Sequence, residues 1–149
     1  MTAQSAGTSA ESDPRPVPEP DEVTAFFWDA AGEGRLELQR CGCCELYQYP
    51  PDVACVHCQS TDLTPAPVSG RGSLYSYTRV DRAFHAGFAG QLPYVIGLVE
   101  LEEQPGLKLL TNIVGADPAQ LKVGLPVEVT FEARRDMTLP QFRPAREQA

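Results

Sequence analysis

All five cysteines of this 149-residue chain fall within one stretch of eighteen residues, CGCCELYQYPPDVACVHC, positions 41 to 58. Four of them form two C-x-x-C pairs, Cys41/Cys44 and Cys55/Cys58, and Cys43 is left over. Two residues between thiols let one tight turn present both sulfurs to a single ion about 2.3 Å away, and a second such turn completes the tetrahedron. The spacer from Cys44 to Cys55 is ten residues. That is shorter than the ~15–20 common to this pattern, yet long enough for a hairpin between the turns. Four thiolates leave no open coordination position, so the site reads as structural zinc. The ion then contributes folding free energy directly, because the unfolded chain has no preformed site. A redox dithiol is the alternative, but its C-x-x-C opens a helix after a strand, and the proline-bracketed surroundings here do not. Iron in an S₄ site is chemically possible as well.

Cys43 and His57 are expected to point away from the ion. Cys41-x-Cys43 leaves a single residue between sulfurs, which strains the turn. With no His/Asp arrangement beside it, Cys43 reads as an inert or merely oxidisable thiol. Glu45 and Gln59 follow directly on the two pairs, where the turn calls for positive φ and glycine is the usual residue.

The N-terminal sequence MTAQSAGTSAESDPRPVPEPDE has neither the basic nor the apolar region of a secretory signal. The expectation is therefore the cytosol, where thiols stay reduced. No apolar run approaches the ~18 residues of a membrane span. Acidic residues outnumber basic ones 20 to 12, a net charge of −8. Phosphate backbones are bound through Lys and Arg, so this balance argues against a nucleic-acid binder.

Along the chain, residues 1–20 read as a flexible arm. Pro14, Pro16, Pro18 and Pro20 alternate, and Val17 is the one sizeable hydrophobe among the last eight residues. Such a segment buries too little to compensate its ordering entropy and is ordered only where another surface receives it. Residues 21–34 form a short helix: Val23, Phe26, Phe27, Ala30 and Ala31 repeat at helical spacing, with Asp21 as N-cap and Gly32 or Gly34 as the stop. Phe26, Phe27 and Trp28 make two of its faces aromatic, for packing on the chain's own core or for docking a partner. The ribbon spans 35–66, entered by the alternating strand RLELQRC (35–41).

Residues 67–144 form the β-domain, and 145–149 a tail. Strands are predicted over 73–82, 93–101, 107–114 and 126–133, and 117–124 suits a helical turn. MTLPQFRPAREQA, with Pro140 and Pro144, is expected to run as extended coil over the surface. A mainly β chain of this pattern suits a five-stranded Greek-key barrel, with the OB-fold the simplest. An SH3-like barrel or small sandwich fits nearly as well. In TRVDRAFHAGFAGQLPY (78–94), Arg79, Arg82 and His85 interleave with Phe84, Phe88 and Tyr94. This is either a strand-joining loop whose aromatics cap the barrel, or a contact surface for a partner or anionic ligand. No GxGxxG, GxxxxGK[ST], GxSxG or HExxH motif is present, which points to a binding or subunit role.

The ordered set FFWDAAGEGRLELQRC, the doubled C-x-x-C, SGRGSLYSYTRVDRAFHAGF, LPYVIGLVEL, LLTNIVGADP, VGLPVEVTFE and LPQFRP resembles a known family over about residues 22 to 144. Its members are acyl-CoA-associated proteins that join an N-terminal helix and a rubredoxin-like zinc ribbon to a C-terminal OB-fold, long catalogued as domain of unknown function 35. The resemblance implies a non-catalytic accessory subunit of a thiolase-like enzyme of the lipid-transfer-protein/thiolase type. That enzyme is a thiolase or a retro-aldolase that shortens steroid side chains, assembled as a heterotetramer, and a MaoC-type hydratase is the other partner class. It further implies Cys41, Cys44, Cys55 and Cys58 as zinc ligands and acyl-CoA as the ligand of the complex. Phe26, Phe27 and Trp28 on the helix, and Arg79, Arg82, Phe84, His85 and Phe88 on the loop, are the expected partner or acyl-CoA contacts. No catalytic residue carries over. Two other classes stay open: a stand-alone OB-fold/zinc-ribbon binder of single-stranded nucleic acid, and an acyl-CoA enzyme using Cys43 or His85.

Overall fold

A computed structural model of the chain describes residues 13–146; most of the expected arm (1–12) and of the tail (147–149) lies outside the described residues. Helix α1 covers Ala25–Gly32, starting two residues later than its periodicity suggests. Asp21 organises the turn before it, its carboxylate accepting from Val23 N at 3.0 Å and Thr24 N at 2.8 Å. At the other end Gly34, at φ +75°, lets the amides of Gly34 and Arg35 return to the carbonyls of Ala31 and Ala30, both at 2.9 Å. This is the left-handed glycine stop that side-chain-bearing residues resist.

Three short strands form the ribbon sheet: β1 (Glu37–Cys41), β2 (Tyr47–Gln48) and β3 (Leu63–Pro67), in the order β2-β1-β3. β3, LTPAP, was not among the predicted strands, and it carries two prolines. Its place at the sheet's edge accommodates them, since one side of it owes no ladder donors.

Five strands close the barrel: β4 (Arg71–Val80), β5 (Tyr94–Leu101), β6 (Lys108–Ile113), β7 (Pro126–Arg134) and β8 (Met137–Pro144), ordered β4-β5-β6-β8-β7 with β7 returning to β4. β6 and β8 run parallel and the other neighbours antiparallel, the Greek-key barrel of an OB-fold. The expected extended coil over residues 137–144 is corrected here: that segment is β8, the strand that closes the barrel. Phe142 is fully buried. β8 pairs with β7 along its whole length but with β6 only at Ile113↔Phe142. One side of the strand therefore demands few N–H donors, and Pro140 and Pro144 are tolerated.

β5 alternates strictly, turning Val95, Gly97, Val99 and Leu101 inward. A Cβ at Gly97 would lie 2.5 Å from Ile113 Cγ1, so glycine leaves the room that the Ile113 side chain of the neighbouring β6 takes. Leu74, Val99, Leu101, Val127 and Phe142 fill the interior, and the same apolar cluster continues through Phe27, Leu36 and Leu38. Helix α1 packs on both β8 and β1. Ribbon and barrel thus share one core. A second tie is polar: in the β5–β6 turn, Gln104 accepts the Tyr47 N–H at 2.8 Å and donates to the Tyr47 carbonyl at 3.0 Å. Part of the arm expected to be free is docked, residues 13–16 being held by charged side chains of the barrel. No helix among the described residues is long and apolar enough to cross a membrane.

Candidate metal centre and its flanking surfaces

The sulfurs of Cys41, Cys44, Cys55 and Cys58 all lie within 4.8 Å of one another. Cys41 and Cys58 are 3.6 Å apart, and Cys44 and Cys55 3.7 Å. A tetrahedron with bonds of about 2.3 Å has edges of about 3.8 Å, so the donor set fits zinc in both chemistry and size. Each pair sits on a knuckle. The Glu45 amide returns to the Cys41 carbonyl at 2.9 Å and the Gln59 amide to the Cys55 carbonyl at 2.8 Å. Cys43 N–H donates to Cys41 Sγ at 3.3 Å and His57 N–H to Cys55 Sγ at 3.4 Å. Glu45 and Gln59 take φ +63° and +65°. The two non-glycine residues thus adopt the left-handed conformation the turns require.

The thiols do not ionise alike. The Cys44 backbone amide, with Cys43 N–H and the Cys58 and Cys44 thiols, outweighs desolvation and holds Cys41 down at about 6. At Cys58 the Ser60 amide alone would lower the value, but desolvation and the Cys41, Cys55 and Cys44 thiols push it up to about 12. Cys44 is raised as well, its Leu46 amide outweighed by desolvation and the Cys55 and Cys41 thiols. Crowded thiols let one anion form and resist the next, unless a cation stands between them.

Cys43 is exposed and outside this set, and His57 Nε2 stands 3.1 Å from the Tyr47 carbonyl. Two buried amides hold the excursion between the knuckles. Gln48 donates to Gln39 at 2.9 Å and to the Ala54 carbonyl at 3.2 Å, and accepts from Val56 N at 2.8 Å. Gln39 bonds both the amide and the carbonyl of Asp52. Sequence reading missed this pair, since periodicity does not separate a buried glutamine from an exposed one.

The expected contact residues divide. Phe27, only 4% exposed, lies in the shared core, with Trp28 edge-on at 4.8 Å and Tyr49 at 5.5 Å. Of the two roles open to it, Phe27 takes the packing on the chain's own core. Phe26 and Trp28 are half-buried against the same core. Two aromatic faces are used because the helix has two modules to pack on.

In the loop, Ala86–Gln91 forms a 3₁₀ turn capped by His85 Nδ1, which accepts the Gly87 N–H at 2.9 Å. Phe88 packs inward on Tyr94 at 5.2 Å, beneath the Arg134 guanidinium at 5.8 Å. Arg79 is paired with Asp81 at 2.8 Å, and Arg82 and His85 are exposed. Phe84 is 85% exposed and Leu110 67%. Leu110, with Phe88, Tyr94, Ile96, Thr111 and Asn112, borders an open hollow of about 290 Å³.

Comparison with known proteins agrees with this architecture. The family model described as the ChsH2 rubredoxin-like zinc ribbon domain matches residues 28–64, and that of the ChsH2 C-terminal OB-fold domain matches residues 66–132. The chain belongs to this family of zinc-ribbon and OB-fold proteins. It is 41% identical over 132 residues to a probable enoyl-CoA hydratase alpha subunit of Thermomonospora curvata, covering 88% of this chain and 40% of that protein. The chain thus spans about two fifths of that relative's length. It is 30% identical over 138 residues to the benzoylsuccinyl-CoA thiolase subunit BbsA of Thauera aromatica, covering 85% of this chain and 89% of that subunit. Among solved structures, a chain of the Ltp2-ChsH2(DUF35) aldolase superposes with TM-score 0.78 at 40% identity, covering 87% of this chain and all of that one.

Proposed function

We propose that this chain is a non-catalytic accessory subunit of a thiolase-like acyl-CoA enzyme, a thiolase or a retro-aldolase, serving steroid side-chain or other acyl-CoA degradation. The observation that carries the reading is the match, at 40% identity, to the whole of one chain of the Ltp2-ChsH2(DUF35) aldolase. The thiolase subunit matched over 89% of its length points the same way. The geometry supports a division of labour. Cys41, Cys44, Cys55 and Cys58 hold a structural zinc, which fixes the two knuckles and takes no part in bond making. The barrel presents Arg82, Phe84 and His85 on a loop beside the hollow at Leu110, an exposed polar-aromatic surface suited to a partner or to the acyl-CoA it carries. The partner supplies the catalytic groups, in a heterotetramer. A MaoC-type hydratase is the second partner class, favoured by the hydratase alpha subunit of which the matching region forms 40%.

The test is co-expression with a thiolase-like enzyme, then size-exclusion chromatography and an assay of carbon–carbon cleavage in acyl-CoA substrates. A stable complex in which this chain raises activity or solubility is expected. A chain that stays alone and neither stabilises nor activates any such enzyme sinks the reading.

A further inference from the structure

Residues 13–16, Asp-Pro-Arg-Pro, are received by the barrel through polar groups chosen to fit them. Arg15 Nη2 lies 2.5 Å from Asp13 Oδ2 and 2.7 Å from Glu132 Oε1, and the Arg15 and Asp13 side chains are only 14% and 15% exposed. Arg134 donates to the Pro16 carbonyl at 3.3 Å, and Arg135 Nε to the Asp13 carbonyl at 2.8 Å. The Arg15 amide donates to Asp13 Oδ1 at 3.0 Å, bending the segment between those two anchors. Gly87 also lies against the segment: a Cβ there would be 2.6 Å from the Pro14 oxygen and 2.9 Å from Arg15 Cα. The segment offers no large apolar side chain, so hydrophobic burial does not explain its place. A carboxylate for the arginine, two guanidinium donors for two carbonyls and a glycine facing the first proline do.

We propose that Gly87, Glu132, Arg134 and Arg135 form a recognition socket for an Asp-Pro-Arg-Pro segment, filled in cis by residues 13–16 of this chain, which act as a detachable latch. Pro14 and Pro16 fix their own φ in advance, so little entropy is lost on docking and a short segment suffices. The latch also steadies its surroundings. Arg15 lines a cavity of about 120 Å³ together with Phe88, Gln91 and Tyr94, and the Arg134 that holds Pro16 lies over Phe88. Undocking the arm therefore releases the Ala86–Gln91 turn. This socket stands independently of any enzyme partner.

The test uses full-length chains and a labelled peptide, DPRPVPEP, read by fluorescence anisotropy. Wild-type protein should bind it weakly, because its own arm fills the socket. Arg15→Ala loosens that arm and leaves the socket intact, so the peptide should bind roughly tenfold more tightly or better, by the occupancy relation for a partly blocked site. Rising salt should weaken that binding. Adding Gly87→Ala to Arg15→Ala should abolish binding with zinc content and melting temperature unchanged. A peptide with alanine in place of its arginine should not bind. An Arg15→Ala chain no better than wild type, or equal binding of the alanine peptide, overturns the socket. Arm exchange between copies, seen as a concentration-dependent dimer lost in Arg15→Ala, supports it.

Discussion

In the ribbon, residues 37–67, the buried side chains are Cys41, Cys55, Gln39 and Gln48, with Leu38 the one that joins the shared core; in the barrel the deepest are Leu74, Val99, Leu101, Val127 and Phe142. The ribbon's strands are two to five residues long, the barrel's six to ten. Sheets as short as the ribbon's bury too little apolar surface to stand without a staple. Its interior is accordingly built around one point, with sulfur and amide groups that have fixed partners. The barrel spreads its stabilisation over many interchangeable apolar contacts. Loss of a single group should therefore be catastrophic in the first module and graded in the second.

The sharpest way to break this contrast is at the metal. Cys44→Ser should abolish stoichiometric zinc and unfold the ribbon, an effect on the scale of the ~10–16 kcal/mol apparent binding energy of zinc peptides. Cys43→Ser should leave zinc bound. Metal analysis decides the assignment, and amide exchange should show β5 still protected when the ribbon is not. Retained metal in Cys44→Ser, with loss in Cys43→Ser, would falsify the ligand set.

Next in size is Phe142→Ala, expected to cost about 3–5 kcal/mol as a buried aromatic truncation. It should lower the denaturant midpoint while zinc stays bound in the folded fraction. Zinc lost in proportion to barrel stability would mean that the two modules are one.

Gln104→Ala should cost less, about 1 kcal/mol, and move the ribbon's unfolding transition further from the barrel's. Calorimetry that shows the same separation after the substitution would make Gln104 incidental.

The smallest effect concerns Tyr49, whose pKa is raised by burial. The neutral phenol is the native form, so its contribution is complete below the ordinary value of about 10. It is lost as pH rises beyond that, with a slope of at most about 1.4 kcal/mol per unit. Urea midpoints across that range should fall in wild type and fall less in Tyr49→Phe.

The two modules also differed in legibility. The clustering of the four cysteines could be read from spacing alone, because coordination geometry permits few alternatives. β5 could be read from its alternation, which one buried and one open face impose. β3 and β8 could not, since prolines that are harmless on a strand side owing no hydrogen bonds look like chain breakers in a linear reading. The inward role of Phe27 stayed one of two readings for a related reason: periodicity shows that a helix has two apolar faces, not that two modules flank it. The docked arm was invisible because nothing in Asp-Pro-Arg-Pro marks Glu132, Arg134 and Gly87 as its receivers.

The Tyr47 carbonyl joins the two modules at a single atom. It accepts from Gln104 at 3.0 Å, and His57 Nε2, in the tautomer protonated there, donates to it at 3.1 Å. His57 sits between Cys55 and Cys58, so the second knuckle and the barrel's β5–β6 turn meet on one backbone oxygen. That single atom is the shortest polar route between the cysteine cluster and the barrel.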